Sequence, residues 1–100
     1  MKNENTVYVQ LRKEKQNGKT ILVAIFPYEI ADLSGNVTCL TGIEGHSACD
    51  RNYINRTKLC SETEGKDLLK TLKAVGYDNL KVIKRASYSK YLKALQVVRR

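Results

Sequence analysis

His46 and Cys49 stand three residues apart, a spacing that places two side chains on one turn of a helix. Such a pair offers two chemistries. Together with Cys39 and Cys60 it supplies the ligands of a Cys3His zinc site. By itself it sets a thiol nucleophile beside an imidazole base. Neither chemistry finds its usual setting here. The cysteines are ten and eleven residues apart, with no Cys-x2-Cys knuckle. No strand-turn-helix elbow or oxyanion hole surrounds Cys49. His46 and Cys49 are therefore weak metal candidates, and the expectation is no metal and no cofactor. The thiols read instead as small buried groups, with Cys39 inside a strand. The carboxylates Glu29, Asp32, Glu44 and Asp50 fall in loops, where Glu29 and Asp32 can cap the backbone of residues 31–35. Gly42-Ile43-Glu44-Gly45 lacks the Gly-Lys-Ser/Thr of a phosphate-binding loop. It has a Gly-x-x-Gly outline, but Glu44 would repel a phosphate backbone. The chain is not expected to be an enzyme.

The cations are a stronger signal. Lys and Arg number 18 against 10 Asp and Glu, a net charge of +8. Residues 1–50 hold five basic and six acidic groups, residues 51–100 thirteen and four. The last twenty residues hold seven basic groups and no acid. A field this lopsided attracts polyanions toward one side. Lys81, Lys84, Arg85, Lys90 and Lys93 are the expected contacts. Tyr88 and Tyr91 either stack or hydrogen-bond beside them or belong to the core. Nucleic acid, a nucleoprotein complex or an acidic protein surface would answer to this field. A membrane would not: the longest apolar run, Ile21 to Phe26, is six residues, and the closing helix has no Trp or Phe to anchor it.

These groups need elements to hold them. Residues 6–12 alternate apolar and polar, the period of a half-buried strand. Asn17-Gly18 then predicts a hairpin into residues 20–26, with Leu11 opposite Ala24 and Val9 opposite Phe26. Ile21, Val23 and Ile25 make the second strand apolar on its other face too. It should be central, covered there by a helix or by a second copy of the chain in a homodimer. Pro27 should end it. Residues 36–41 read as a third strand and 42–56 as a long loop with a short helical turn near 50–55. Ser61 and Glu64 fit a capping box for a helix over 62–75, closed by Gly76. Residues 80–85 read as a fourth strand. Ser87 should cap a last helix whose stripe is Tyr88, Tyr91, Leu92, Leu95 and Val98. The expectation is one α+β domain over 1–100, ordered β-β-β-α-β-α, with a mainly antiparallel sheet packed by two helices. Three cysteines and a polar start without an apolar leader point to a reducing, cytoplasmic setting.

Residues 24–35, reading Ala-Ile-Phe-Pro-Tyr-Glu-Ile-Ala-Asp-Leu-Ser-Gly, carry a distinctive pattern. Gly45-His46-Ser47 and the Gly76-Tyr77 that leads into residues 78–85 continue it. Over roughly residues 20–85 the chain resembles a set of short uncharacterised proteins of phages, plasmids and conjugative elements. It departs from them at Glu44-Gly45-His46, where they tend to have Gly-Gln-His. The resemblance implies a mobile-element context, in which small non-enzymatic chains act by binding. They serve as DNA maintenance factors, as transcription modulators, or as anti-CRISPR inhibitors of host defence that act by protein–protein contact.

Overall fold

Asn17 and Gly18 both adopt positive φ, 52° and 79°, as a two-residue hairpin turn of matching twist demands. The computed structural model describes residues 6–41 and 45–99. In it this turn joins β1 (Val7–Gln16) to β2 (Lys19–Ile30). The register is the one the turn imposes, with Gln16 opposite Lys19 and Leu11 opposite Ala24. β1 contributes Val9 and Leu11 to one core, whereas β2 contributes Ala24 and Phe26 to that core and Val23 and Ile25 to a second. A strand apolar on both faces is stable only inside a sheet. Accordingly β2 lies between β1 and β3 (Val37–Thr41), and β4 (Gly45–Cys49) pairs outside β3. The far edge of β1 is shared by two short strands. β5 (Lys58–Leu59) runs antiparallel to Arg12–Lys13, and β6 (Leu80–Val82) runs parallel to Val7–Val9.

Among the described residues three helices cover this sheet, one more than expected. α2 (Lys66–Val75) lays Leu68 and Leu72 on Val9, Leu11, Ala24, Phe26 and Leu40. On the other face α1 (Arg51–Arg56) brings Tyr53 and Ile54, and α3 (Tyr88–Val98) brings Tyr91 and Leu95. Val23 and Ile25 are 0% exposed beneath them. The cover that these residues require comes from the chain's own helices, so no second copy is needed to bury them.

Several boundaries differ from the sequence reading, each for a local reason. Pro27 does not end β2. The β2–β3 register shifts between Phe26 and Ile30, and Pro27 sits in that irregularity, where no ladder bond asks for its missing N–H. Residues 45–49, read as loop, form β4 because each of them pairs with β3. The Ser61–Glu64 box does form, with both reciprocal bonds at 3.1 Å. It closes a turn rather than the helix, and α2 starts four residues later, capped by Gly65. A Cβ at Gly65 would sit 2.8 Å from Leu11 Cδ1, so a larger residue there would require the buried Leu11 side chain to shift. Gly76, at φ 120°, ends α2 where expected. The last strand is shorter than 80–85. Ser87 caps α3 by accepting from the Lys90 N–H.

Candidate nucleic-acid interface

Parallel pairing sets Lys81 opposite Tyr8, between Leu80 and Val82. Those two neighbours pack into the α2 core, so strand alternation turns Lys81 to the α3 face, the side that Tyr8 occupies. There Tyr8 meets Tyr28 edge-on, ring centroids 5.5 Å apart. The Lys90 ammonium from α3 stands 4.8 Å from the Tyr8 centroid and 5.8 Å from that of Tyr28, within cation–π range. The chain between β6 and α3 is tied to the same place. Ser87 donates its N–H to the Tyr28 hydroxyl at 2.7 Å, and the Gln10 amide donates to the Lys84 carbonyl at 3.1 Å.

The five expected contacts therefore divide. Lys81 and Lys90 lie beside Tyr8, the Lys84 carbonyl and Arg85 border the Gln10 cleft, and all four residues are exposed. Lys93 is exposed too, but lies a turn further along α3, on the side away from the buried Tyr91 and Leu95. Among the described residues the ion pair present is Lys13–Glu64 at 2.6 Å, far from this group. None of the five has a carboxylate partner there. Glu29 lies within electrostatic range of Tyr77 and lines a cleft with Tyr8 and Tyr28, at the border of this group. The two tyrosines of α3 take different roles. Tyr91 is buried and donates to the Gly35 carbonyl at 2.7 Å, so it is core. Tyr88 is 57% exposed and stacks on it at 5.9 Å. Tyr8, Tyr28 and Gln10 were not singled out as site residues by the sequence. The available signal was the run of aromatic and polar side chains on the second face of β1.

The metal reading fails on geometry. His46 and Cys49 lie on a strand, not a helical turn, and an odd spacing sends them to opposite faces. His46 Nε2 is 2.9 Å from the Tyr77 hydroxyl on the α2 side. Cys49 belongs to the other core with Cys39, whose thiol also lies 3.2 Å from the Ser47 hydroxyl. Cys60 is under α2, so the sheet separates the four supposed ligands two and two. No cluster of three metal-binding side chains occurs among the described residues. A thiol–base pair of His46 and Cys49 is excluded by the same separation. A hydrogen bond with Cys39, reinforced by burial, pushes the Cys49 thiol well above its ordinary pKa, the reverse of an activated nucleophile.

The remaining carboxylates hold backbone or side chains in place. Asp32 accepts from the N–H groups of Ser34 and Asn36 and from the Asn36 amide, which holds its pKa below the usual carboxylate range. Asp50 caps α1 by accepting from the Tyr53 N–H at 2.7 Å. The exposed Glu29 has no such role, and Glu44 lies outside the described residues. Arg12 is likewise structural. Its Nε and Nη2 donate to the hydroxyl and carbonyl of Thr57 at 2.6 and 2.8 Å, closing the end of α1. Comparison with protein-family models, curated proteins and solved structures finds no match. No helix among the described residues is long and apolar enough to cross a membrane.

Proposed function

We propose that the protein is a non-enzymatic binding protein of a phage or other mobile element, and that it engages nucleic acid through its basic C-terminal surface. One observation supports this reading above the others. Lys81 and Lys90 beside Tyr8, and Lys84 and Arg85 on the segment that borders Gln10, are exposed and form no ion pair with a carboxylate among the described residues. Surface cations on a stable fold are usually interspersed with acids. Four that share a face, with aromatic rings beside them, form a track for phosphates. Each phosphate neutralised releases counterions, so affinity should fall steeply with salt.

Binding of labelled duplex and single-stranded DNA at about 50 mM and about 200 mM salt tests this. Micromolar or tighter binding, weakening about fifty- to five-hundredfold between the two, is the expected result for four to five phosphate contacts. No binding at the lower salt rejects the direct form. An acidic protein surface would then be the partner to seek, as for an inhibitor of host defence.

A further inference from the structure

The segment that carries Lys84 and Arg85 also walls a cleft of about 250 Å³ on the α3 side of the sheet. Its lining is mixed. Pro27, Val37 and Ile54 supply apolar surface, Gln10 supplies an amide, and Lys84 and Arg85 supply cations. Gln10 is 5% exposed, one of two polar residues in the buried set. Its Nε2 donates to the Lys84 carbonyl at 3.1 Å, and a carbonyl partner fixes which end of the amide is which. The Gln10 Oε1 accepts no hydrogen bond from any described residue. A buried acceptor left in that state is destabilising, and native proteins rarely keep one without use. Arg12 lines the cleft as well, but two of its donors are already held by Thr57.

A ligand for this place must meet three conditions. It must bring an N–H or O–H donor to Gln10 Oε1. It must carry negative charge to Lys84 and Arg85. Its buried part must be small, since sites for drug-sized molecules run from about 300 to 1,000 Å³. A nucleotide within a strand meets all three. Its base is one flat ring system with an N–H on the pairing edge, and its phosphates remain outside. The guanidinium of Arg85 is the type of group that stacks on such a ring.

We propose that this cleft receives a single base of single-stranded nucleic acid, the base N–H donating to Gln10 Oε1 and the flanking phosphates lying on Lys84 and Arg85. This rests on the nucleic-acid reading above and narrows it to unpaired strands. Within a duplex the pairing edge is already occupied, and only an extruded base could reach the amide.

The test compares three labelled strands of about 12 nucleotides on the wild-type protein at low salt. They are oligothymidylate, the same backbone without bases, and oligo-N3-methylthymidylate, which lacks the base N–H. The expected result is that oligothymidylate binds about tenfold tighter than the methylated strand, the effect of one hydrogen bond to a buried acceptor, and tighter still than the abasic strand, which also loses stacking. Gln10→Leu should bring the ratio of oligothymidylate to oligo-N3-methylthymidylate affinity close to one. The wild-type comparisons stand even where that variant fails to fold. Equal, salt-sensitive binding of all three strands overturns the base cleft and leaves the phosphate reading intact. Equal binding of the methylated and unmodified strands, both tighter than the abasic one, overturns the role of Gln10. Duplex binding tighter than any single strand also overturns the proposal. If neither a strand nor a duplex binds, both readings fall together.

Discussion

Under α2 the sheet is sealed by one ten-residue helix, whose Leu68 and Leu72 are 5% and 0% exposed. Under α1 and α3 the cover is divided between a six-residue helix and one that commits only Tyr91 and Leu95 to the core. Two clefts open on that second side. One is the 250 Å³ cleft beside Gln10; the other, of about 420 Å³, is lined in part by Glu14, Cys39, Cys49 and Tyr53. Most of the expected stripe of α3 stays at the surface, with Tyr88, Leu92 and Val98 at 57%, 38% and 42% exposure. The cations of β6 and α3 lie on this same side. The centre of the α2 face is closed by apolar packing, with openings at its margins beside Lys13 and Glu64 and beside Val7 and Phe26, whereas the α1/α3 face is held by specific hydrogen bonds around openings nearer its centre. Stability and binding can therefore be perturbed separately.

The largest test of that separation is Leu72→Ala. Truncating a fully buried leucine removes transfer energy and leaves a cavity, at a cost of about 2–5 kcal/mol. Chemical denaturation should show a loss in that range, while the fraction that stays folded binds oligonucleotides as before. A loss below ~1 kcal/mol would mean that α2 packs no more tightly than the divided cover opposite.

A smaller effect reads the burial of both faces by pH. Cys49, on the α1/α3 side, is pushed up by its bond with Cys39 and then by burial; Cys60, on the α2 side, is pushed up chiefly by burial. Each folded value exceeds the unfolded one, so the thiol's contribution is complete below the unfolded pKa of about 8.5 and declines as pH rises above it. The slope is ~1.4 kcal/mol per pH unit for each thiol that ionises only in the unfolded chain. Urea midpoints at neutral pH and near pH 10 should differ accordingly, and Cys49→Ala and Cys60→Ala should each remove one share. A midpoint that is flat across this range would contradict the burial of both thiols.

How much of this was legible depended on whether the deciding interaction was local. Asn17-Gly18 dictates its own φ angles, so the hairpin and its register could be read directly. β2 announces its central place through apolar residues on both faces. Gly45-His46-Ser47-Ala48-Cys49 announces nothing, because small and polar residues carry no hydrophobic period; pairing with β3 alone makes them a strand. The Ser61–Glu64 box was real but local: it closes a turn, and the helix begins at Lys66. The same division holds for the site. Counting charges locates the cations in the sequence. Their arrangement depends on contacts such as that between Gln10 and Lys84, which are 74 residues apart. No window of sequence contains that contact.

Lys90→Gln should have the smallest effect on stability and decides most finely between support and binding. Its ammonium stands over Tyr8, and an exposed cation–π contact is worth about 0.5–1 kcal/mol. If Lys90 only props the tyrosine, its loss should lower stability by that amount and leave the salt dependence of DNA binding unchanged. If it also meets a phosphate, the slope of log affinity against log salt should shallow by about 0.7 for a single strand and about 0.9 for a duplex. We expect both changes together, because an ammonium over an aromatic face keeps its outward N–H groups free for an anion. Lys70→Gln is the matching control. Lys70 is exposed on α2, the sealed side of the sheet, so its removal should leave the slope as it was. An equal change of slope for both lysines would mean that the whole molecule attracts DNA by net charge, and the contrast between its two faces would then carry no functional weight.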